Sequence, residues 1–147
     1  MSECLMINDI LNAVTKQLGD IFGASYRYYV EDVEQKLTTP CFTIDTISPT
    51  VRSKSPILYD WSVPLVIHYF SDKKPDLKKD CYSVCDKLVE CLEYLPFGDT
   101  FLRGEDISFG LDDDVLQVFL TYRFAARRLS EDVDNIEEYE GLTTTVE

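Results

Sequence analysis

The stretch DWSVPLVIHYF at residues 60–70 constrains the fold of this chain more than any other. Trp61, Val63, Leu65, Ile67 and Tyr69 alternate with Ser62, Pro64, Val66, His68 and Phe70, and from Val63 onward both sets are largely apolar. Such a strand is covered on both faces, or on one face by its own domain and on the other by a neighbour. Pro64 limits where it can lie, because a residue without an N–H is confined to edges, strand starts and bulges. The expectation is a core strand whose ladder is broken or shared at Pro64, at an edge or bulge near a subunit boundary.

The flanking sequence supplies the cover. Ile7, Ile10, Leu11, Val14, Leu18 and Ile21 recur at helical spacing within residues 5–22, and Gly23 follows as a stop signal. Tyr26, Tyr28 and Val30 alternate with polar neighbours, as in a strand. Residues 31–40 read as a polar loop, and 41–47 as a second strand with Phe42 and Ile44 on one face. SPTVRSKSP (48–56) reads as the long basic tip of a hairpin, carrying Arg52 and Lys54. A second helix is expected over roughly 76–95, with Asp76 as N-cap and a stripe of Leu77, Cys81, Val84, Cys85, Leu88, Leu92 and Leu95, ended by Pro96 and Gly98. Short strands at 100–103 and 106–111, a turn at Asp112–Asp114 and a long strand from Val115 to Ala126 follow. Separated helices with hairpin-connected strands argue for an α+β fold: a mostly antiparallel sheet with two packed helices and an acidic C-terminal arm.

Charge divides the chain. All 14 Lys and Arg residues lie at or before Arg128, whereas 129–147 holds seven acids and no base. Of the net −13, the body (1–128) therefore carries −6 and the tail (129–147) −7. Neither has the basic footprint of a nucleic-acid binder. The tail has apolar anchors at Val133, Ile136, Tyr139, Leu142 and Val146, the pattern of an inert tail or of an arm that orders on a neighbour. No apolar run reaches membrane-span length, and the N-terminus lacks the basic flank of a signal peptide. The reading is a cytosolic chain whose five cysteines stay reduced.

Candidate chemistry is sparse. Cys81, Cys85 and Cys91 share one helix, and with His68 they could be drawn as a zinc site. Structural zinc instead takes ligand pairs from knuckles and turns, and Cys81 and Cys85 occupy core positions. His68 is the only histidine, and it reads as a packed side chain rather than a general base. Asp112–Asp114 lacks the ligand spacing of a calcium loop, and there is no phosphate loop, dinucleotide fingerprint or nucleophile elbow. No catalytic, metal or cofactor site is expected. The many aromatic residues of the strands, on both faces, fit either association surfaces or strands that are simply central in the sheet.

Six segments, YVEDVEQ (29–35), TPCFTI (39–44), PLVIHYF (64–70), LEYL (92–95), LRGEDIS (102–108) and VLQVFLTYRF (115–124), resemble in order and spacing the tail terminator proteins of tailed phages, especially those of prophages and phage-tail-like particles of Gram-positive bacteria. The resemblance covers roughly residues 5–125. It implies an α+β domain over 1–128 that forms a homohexameric ring at the head-proximal end of the tail. It also implies binding to the tail tube protein, the sheath protein if the tail is contractile, and the neck or head–tail connector, with no sequence-specific nucleic acid and no membrane as partners. Such a protein is assembled in the host bacterial cytoplasm and ends in the tail or neck of the particle. Candidate interface residues are Val51, Arg52, Ser53, Lys54, Pro64, His68, Phe70, Ile136, Tyr139 and Leu142. The alternatives are another neck or tail-completion protein, or a cytosolic ligand-binding or enzymatic domain using His68 and the cysteines.

Overall fold

The computed structural model describes residues 6–30, 39–73 and 75–127. Most of the 31–40 loop, the acidic arm and the candidates Ile136, Tyr139 and Leu142 lie outside them. The elements run α1 (Met6–Phe22), β1 (Arg27–Val30), β2 (Cys41–Thr46), β3 (Thr50–Ser55), β4 (Leu58–Phe70), α2 (Leu77–Leu92), β5 (Tyr94–Phe97), β6 (Thr100–Asp112) and β7 (Val115–Arg127). All seven strands form one sheet in the order β1-β2-β4-β7-β6-β5, with β3 beside β4 beyond the end of β2. Only β1 and β2 are parallel, so the α+β expectation holds.

Both helices lie on one face of this sheet. Ile10, Leu11, Val14, Leu18 and Phe22 of α1 are buried, and so are Leu77, Cys81, Val84, Leu88, Cys91 and Leu92 of α2. Each predicted stripe departs from the structure at one position. Ile21 is 46% exposed and Phe22 is buried instead, while Cys91 is buried and Cys85 only partly so. Beneath the helices, Val63, Leu65, Ile67 and Tyr69 of β4 meet Leu116, Val118, Leu120 and Tyr122 of β7 in one core. The alternation expected of β4 is present: its odd-numbered residues from Val63 to Tyr69 are buried, and Pro64, Val66, His68 and Phe70 turn to the other face.

Pro64 does not mark an edge, because β4 is a central strand paired with β7 along its whole length. It sits instead beside a bulge. Thr46 lies opposite Leu65 and Thr50 opposite Ser62, so residues 47–49 face only Val63 and Pro64, and Ser48 takes a positive φ of 49°. The Pro64 carbonyl accepts from Ile47 N at 2.9 Å. An antiparallel residue turns its N and its C=O to the same side, so the missing N–H of Pro64 faces this bend and not β7. The proline is thus tolerated where its neighbouring strand already departs from the ladder.

Three further expectations are corrected. Residues 50–55 are a strand paired with β4, not a loop, and the turn of that hairpin is only Pro56–Ile57. The second helix ends at Leu92, and Tyr94–Phe97 pairs with β6 as a strand. The two short strands around Gly104 are one strand with an irregularity between Glu105 and Ser108, where Asp106 takes a φ of 55°. The turn at Asp112–Asp114 is present as expected. Asp113 and Asp114 both have positive φ, the conformation of a two-residue hairpin turn whose twist matches the sheet.

Gly104 marks where α2 is stitched to the sheet. Its N–H donates to Glu93 O at 2.7 Å, and Tyr122 Oη donates to Leu92 O at 2.7 Å. A Cβ at Gly104 would lie 2.9 Å from Leu92 O and 3.1 Å from Leu120 Cδ1. Gly104→Ala is expected to cost ~1–3 kcal/mol through this overpacking. A thermal melt should show a fall of about 3–10 °C in Tm.

Candidate functional site

The sheet face away from the helices has no helix over it among the described residues, and the registers define its rows. Across β2, β4, β7 and β6, one row is Asp45, Val66, Phe119 and Ser108. The next, toward the end of β4, is Thr43, His68, Gln117 and Gly110. On the other side of the Val66 row, Pro64 lies between Ile47 and Thr121. Phe119 is 38% exposed and Ile47 42%, while Val66, Pro64 and Phe70 are half-buried by their neighbours in the sheet. The centre of the face is therefore apolar and its surround is polar, the arrangement of an association patch rather than of a substrate cleft.

Beyond the helices the sheet continues as a three-stranded projection of β3, the first part of β4 and the end of β7. Trp61 and Phe124 stack there with ring centroids 6.3 Å apart and planes within 5°. Val51 lies beside Trp61 and is 51% exposed. Arg52 lies opposite Asp60 on the open-face side, and Lys54 Nζ is 3.6 Å from Asp60 Oδ2. The structure thus brings Val51, Arg52, Ser53 and Lys54 together on β3, and Pro64, His68 and Phe70 together on β4. Sequence reasoning missed Ile47, Val66 and Phe119, although the period-two pattern through Val115–Ala126 already put Phe119 on the face opposite Leu116, Val118 and Leu120.

The enzymatic reading finds little to build on in these side chains. His68 Nδ1 lies 3.4 Å from Thr43 Oγ1, and its ring lies beside Phe70. Among the described residues no three His, Cys, Asp or Glu side chains converge as a metal site. The surface groove between α1 and β5, lined by Asp9, Asn12, Lys16, Asp20 and Phe97, holds no nucleophile beside a base. Among the described residues no helix is long and apolar enough to cross a membrane.

Of the four cysteines among the described residues, Cys81 and Cys91 lie in the core, Cys85 packs against it, and Cys41 is buried opposite Phe70. Burial pushes the Cys85 and Cys91 thiols up to about 11, and it also raises those of Cys41 and Cys81. They are therefore neutral at physiological pH, when a nucleophile or metal ligand would be a thiolate. The Tyr69 and Tyr122 hydroxyls are raised as well, first by burial and, for Tyr69, by its hydrogen bond to Asp80 Oδ2 at 2.7 Å. Raised values give the folded state protons that the unfolded state loses first, so these groups stabilise fully below about pH 9. Tm is expected to be level from pH 7 to 8 and to fall as pH rises from 9 to 11, as a pH series of melts would show.

Comparison with known proteins places this surface in context. No curated protein matches the chain. One solved structure, 11% identical, aligns over 88% of this chain and 98% of its own with a TM-score of 0.45. A family model described as phage tail terminator protein matches residues 9–134, a span that begins within α1 and takes in α2 and every strand. The chain belongs to the phage tail terminator protein family, and its role is that of a structural protein of the phage tail.

Proposed function

We propose that this chain forms a six-fold ring on the head-proximal end of the tail tube, stops tube polymerisation there and joins the tail to the neck. The observation that carries this reading, beside the family, is the inequality of the sheet's two faces. One is sealed by α1 and α2, and the other presents Val66, Phe119, Ile47 and Phe70 with no helix above it among the described residues. Ending a polymer requires binding its last ring while presenting no copy of that ring beyond, and a closed ring further requires two unlike contact surfaces on each subunit.

In this reading residues 1–128 are the ring-forming body and 129–147 an acidic arm. Ile136, Tyr139 and Leu142 are the arm's anchors on a neighbouring subunit or tail component. Val51–Lys54 and the Pro64, His68 and Phe70 face contact the next subunit or the last tube ring. The sheath protein joins these contacts if the tail is contractile, and the neck protein binds the far side. Assembly takes place in the host bacterial cytoplasm before the tail meets the head. The net charge of −13 on every copy would let DNA pass the ring without adhering if the acids line its lumen.

Light scattering coupled to size-exclusion chromatography tests the ring, with the full chain alone and mixed with purified tail tubes. The expected result is a species of six copies, free or bound at tube ends. A chain that remains a monomer in both conditions and never co-elutes with tubes would overturn the proposal.

A further inference from the structure

Besides the terminal strands β1 and β5, two segments of the sheet have no outer strand among the described residues, β3 and the end of β6, and they differ in charge. β3 pairs only with β4, and β5 covers β6 only along Thr100–Arg103, so β6 from Ile107 to Asp112 has no strand beyond it among the described residues. The two segments are each six residues long and lie diagonally across the sheet, β3 beside the start of β4 and the open part of β6 beside the start of β7.

Peptide groups show which residues could pair outward. Pro64 turns its carbonyl toward the β2–β3 side, since it accepts from Ile47 N at 2.9 Å. By alternation Ser62 and Asp60 also face β3, whereas Val63 and Leu65 face β7. The register Thr50↔Ser62 and Arg52↔Asp60 then assigns the peptide groups of Thr50 and Arg52 to β4 and leaves those of Val51 and Ser53 pointing outward. Carried through β7, the same alternation assigns Ser108, Gly110 and Asp112 to β7 and leaves Ile107, Phe109 and Leu111 pointing outward.

Charge selects between the possible pairings. The β3 edge carries Arg52 and Lys54. The β6 edge is bounded by Asp106 and Asp112 and runs into Asp113 and Asp114. Among the described residues Arg52 and Asp112–Asp114 have no ion-pair partner. Pairing β3 with β3, or β6 with β6, would set like charges together, whereas β3 against β6 sets opposite charges together.

We propose that β3 of one copy adds to the Ile107–Asp112 edge of the next, so that the sheet runs on from subunit to subunit. Two different edges joined head to tail make a heterologous contact, which builds a ring when the rotation between copies closes, and the outward peptide groups supply the bonding. This pairing rests on the ring reading above and specifies its subunit contact.

The test uses the full chain with tail tubes present. Val51→Pro removes an outward N–H that β4 does not use, and R52E/K54E leaves the backbone intact but reverses the charge of the β3 edge. Both variants are expected to keep the wild-type circular dichroism spectrum and to lose rings. R52E/K54E should need at least ~10-fold more protein to form them, with partial recovery when D112K is added. Rings formed by both variants at the wild-type concentration would overturn the edge pairing and leave the ring standing. A wild-type chain that forms no ring under any condition would overturn both. If Val51→Pro unfolds, the charge reversal and its recovery by D112K decide the question alone.

Discussion

Phe42→Ala is expected to lower the stability of this domain by ~3–5 kcal/mol, the range for deleting a fully buried aromatic side chain. Phe42 has no exposed surface and sits at the centre of an aromatic cluster. Its ring centroid is 4.8 Å from Phe22, 4.9 Å from Tyr69 and 5.8 Å from both Tyr26 and Tyr28, the last nearly parallel to it. The cluster ties the end of α1 to β1, β2 and β4 at once, so a cavity there loosens several elements and no single neighbour can fill it. Domains of this size have ~5–15 kcal/mol of stability in all. The variant should therefore denature at markedly lower urea, with a reduced midpoint and an unchanged slope. A loss of unfolding free energy of less than about 1 kcal/mol would mean that this cluster is not part of the core.

Phe119→Asp should do the reverse, sparing the fold and removing function. Phe119 is 38% exposed on the open face, in the row between Val66 and Ser108. Nothing above it among the described residues is lost when it is replaced, so the cost to the isolated subunit is limited to strand propensity, within ~1 kcal/mol. If the face contacts a neighbour, losing a central aromatic anchor and burying a charge costs ~2 kcal/mol or more at each contact, about 30-fold in affinity. Such a subunit is expected to be folded and unable to join tails. Normal particle yield from Phe119→Asp would move the contact surface elsewhere on the molecule.

The contrast between these two residues shows what was legible in the sequence. Period-two alternation put Phe42 and Ile44 on one face of β2 and separated Val63–Tyr69 from Pro64–Phe70, because burial writes an alternating pattern wherever one face is sealed. β3 carries no such pattern. Both its faces are exposed, so TVRSKS has one apolar residue and reads as a loop. Leu95 falls at helical spacing from Leu88 and Leu92 and also fits the alternation of β5, so periodicity could not separate the last turn of a helix from a strand. The break seen at Gly104 was a close approach to Leu92, not a strand end. Pro64 was read correctly as a bulge signal and incorrectly as an edge, since the direction of its missing N–H depends on a pairing that sequence does not contain. The surface candidates were partly legible because aromatic and basic residues stood out. The role of the open face depends on which strands become neighbours, and that is a property of the fold.

Tail length in particles made with and without this chain tests the central claim most directly. If the protein terminates tube growth, tails assembled in its absence should be variable in length, many of them overlong and without heads, and supplying the chain should restore a single length. Tails of uniform, normal length that join heads in its absence would contradict the account.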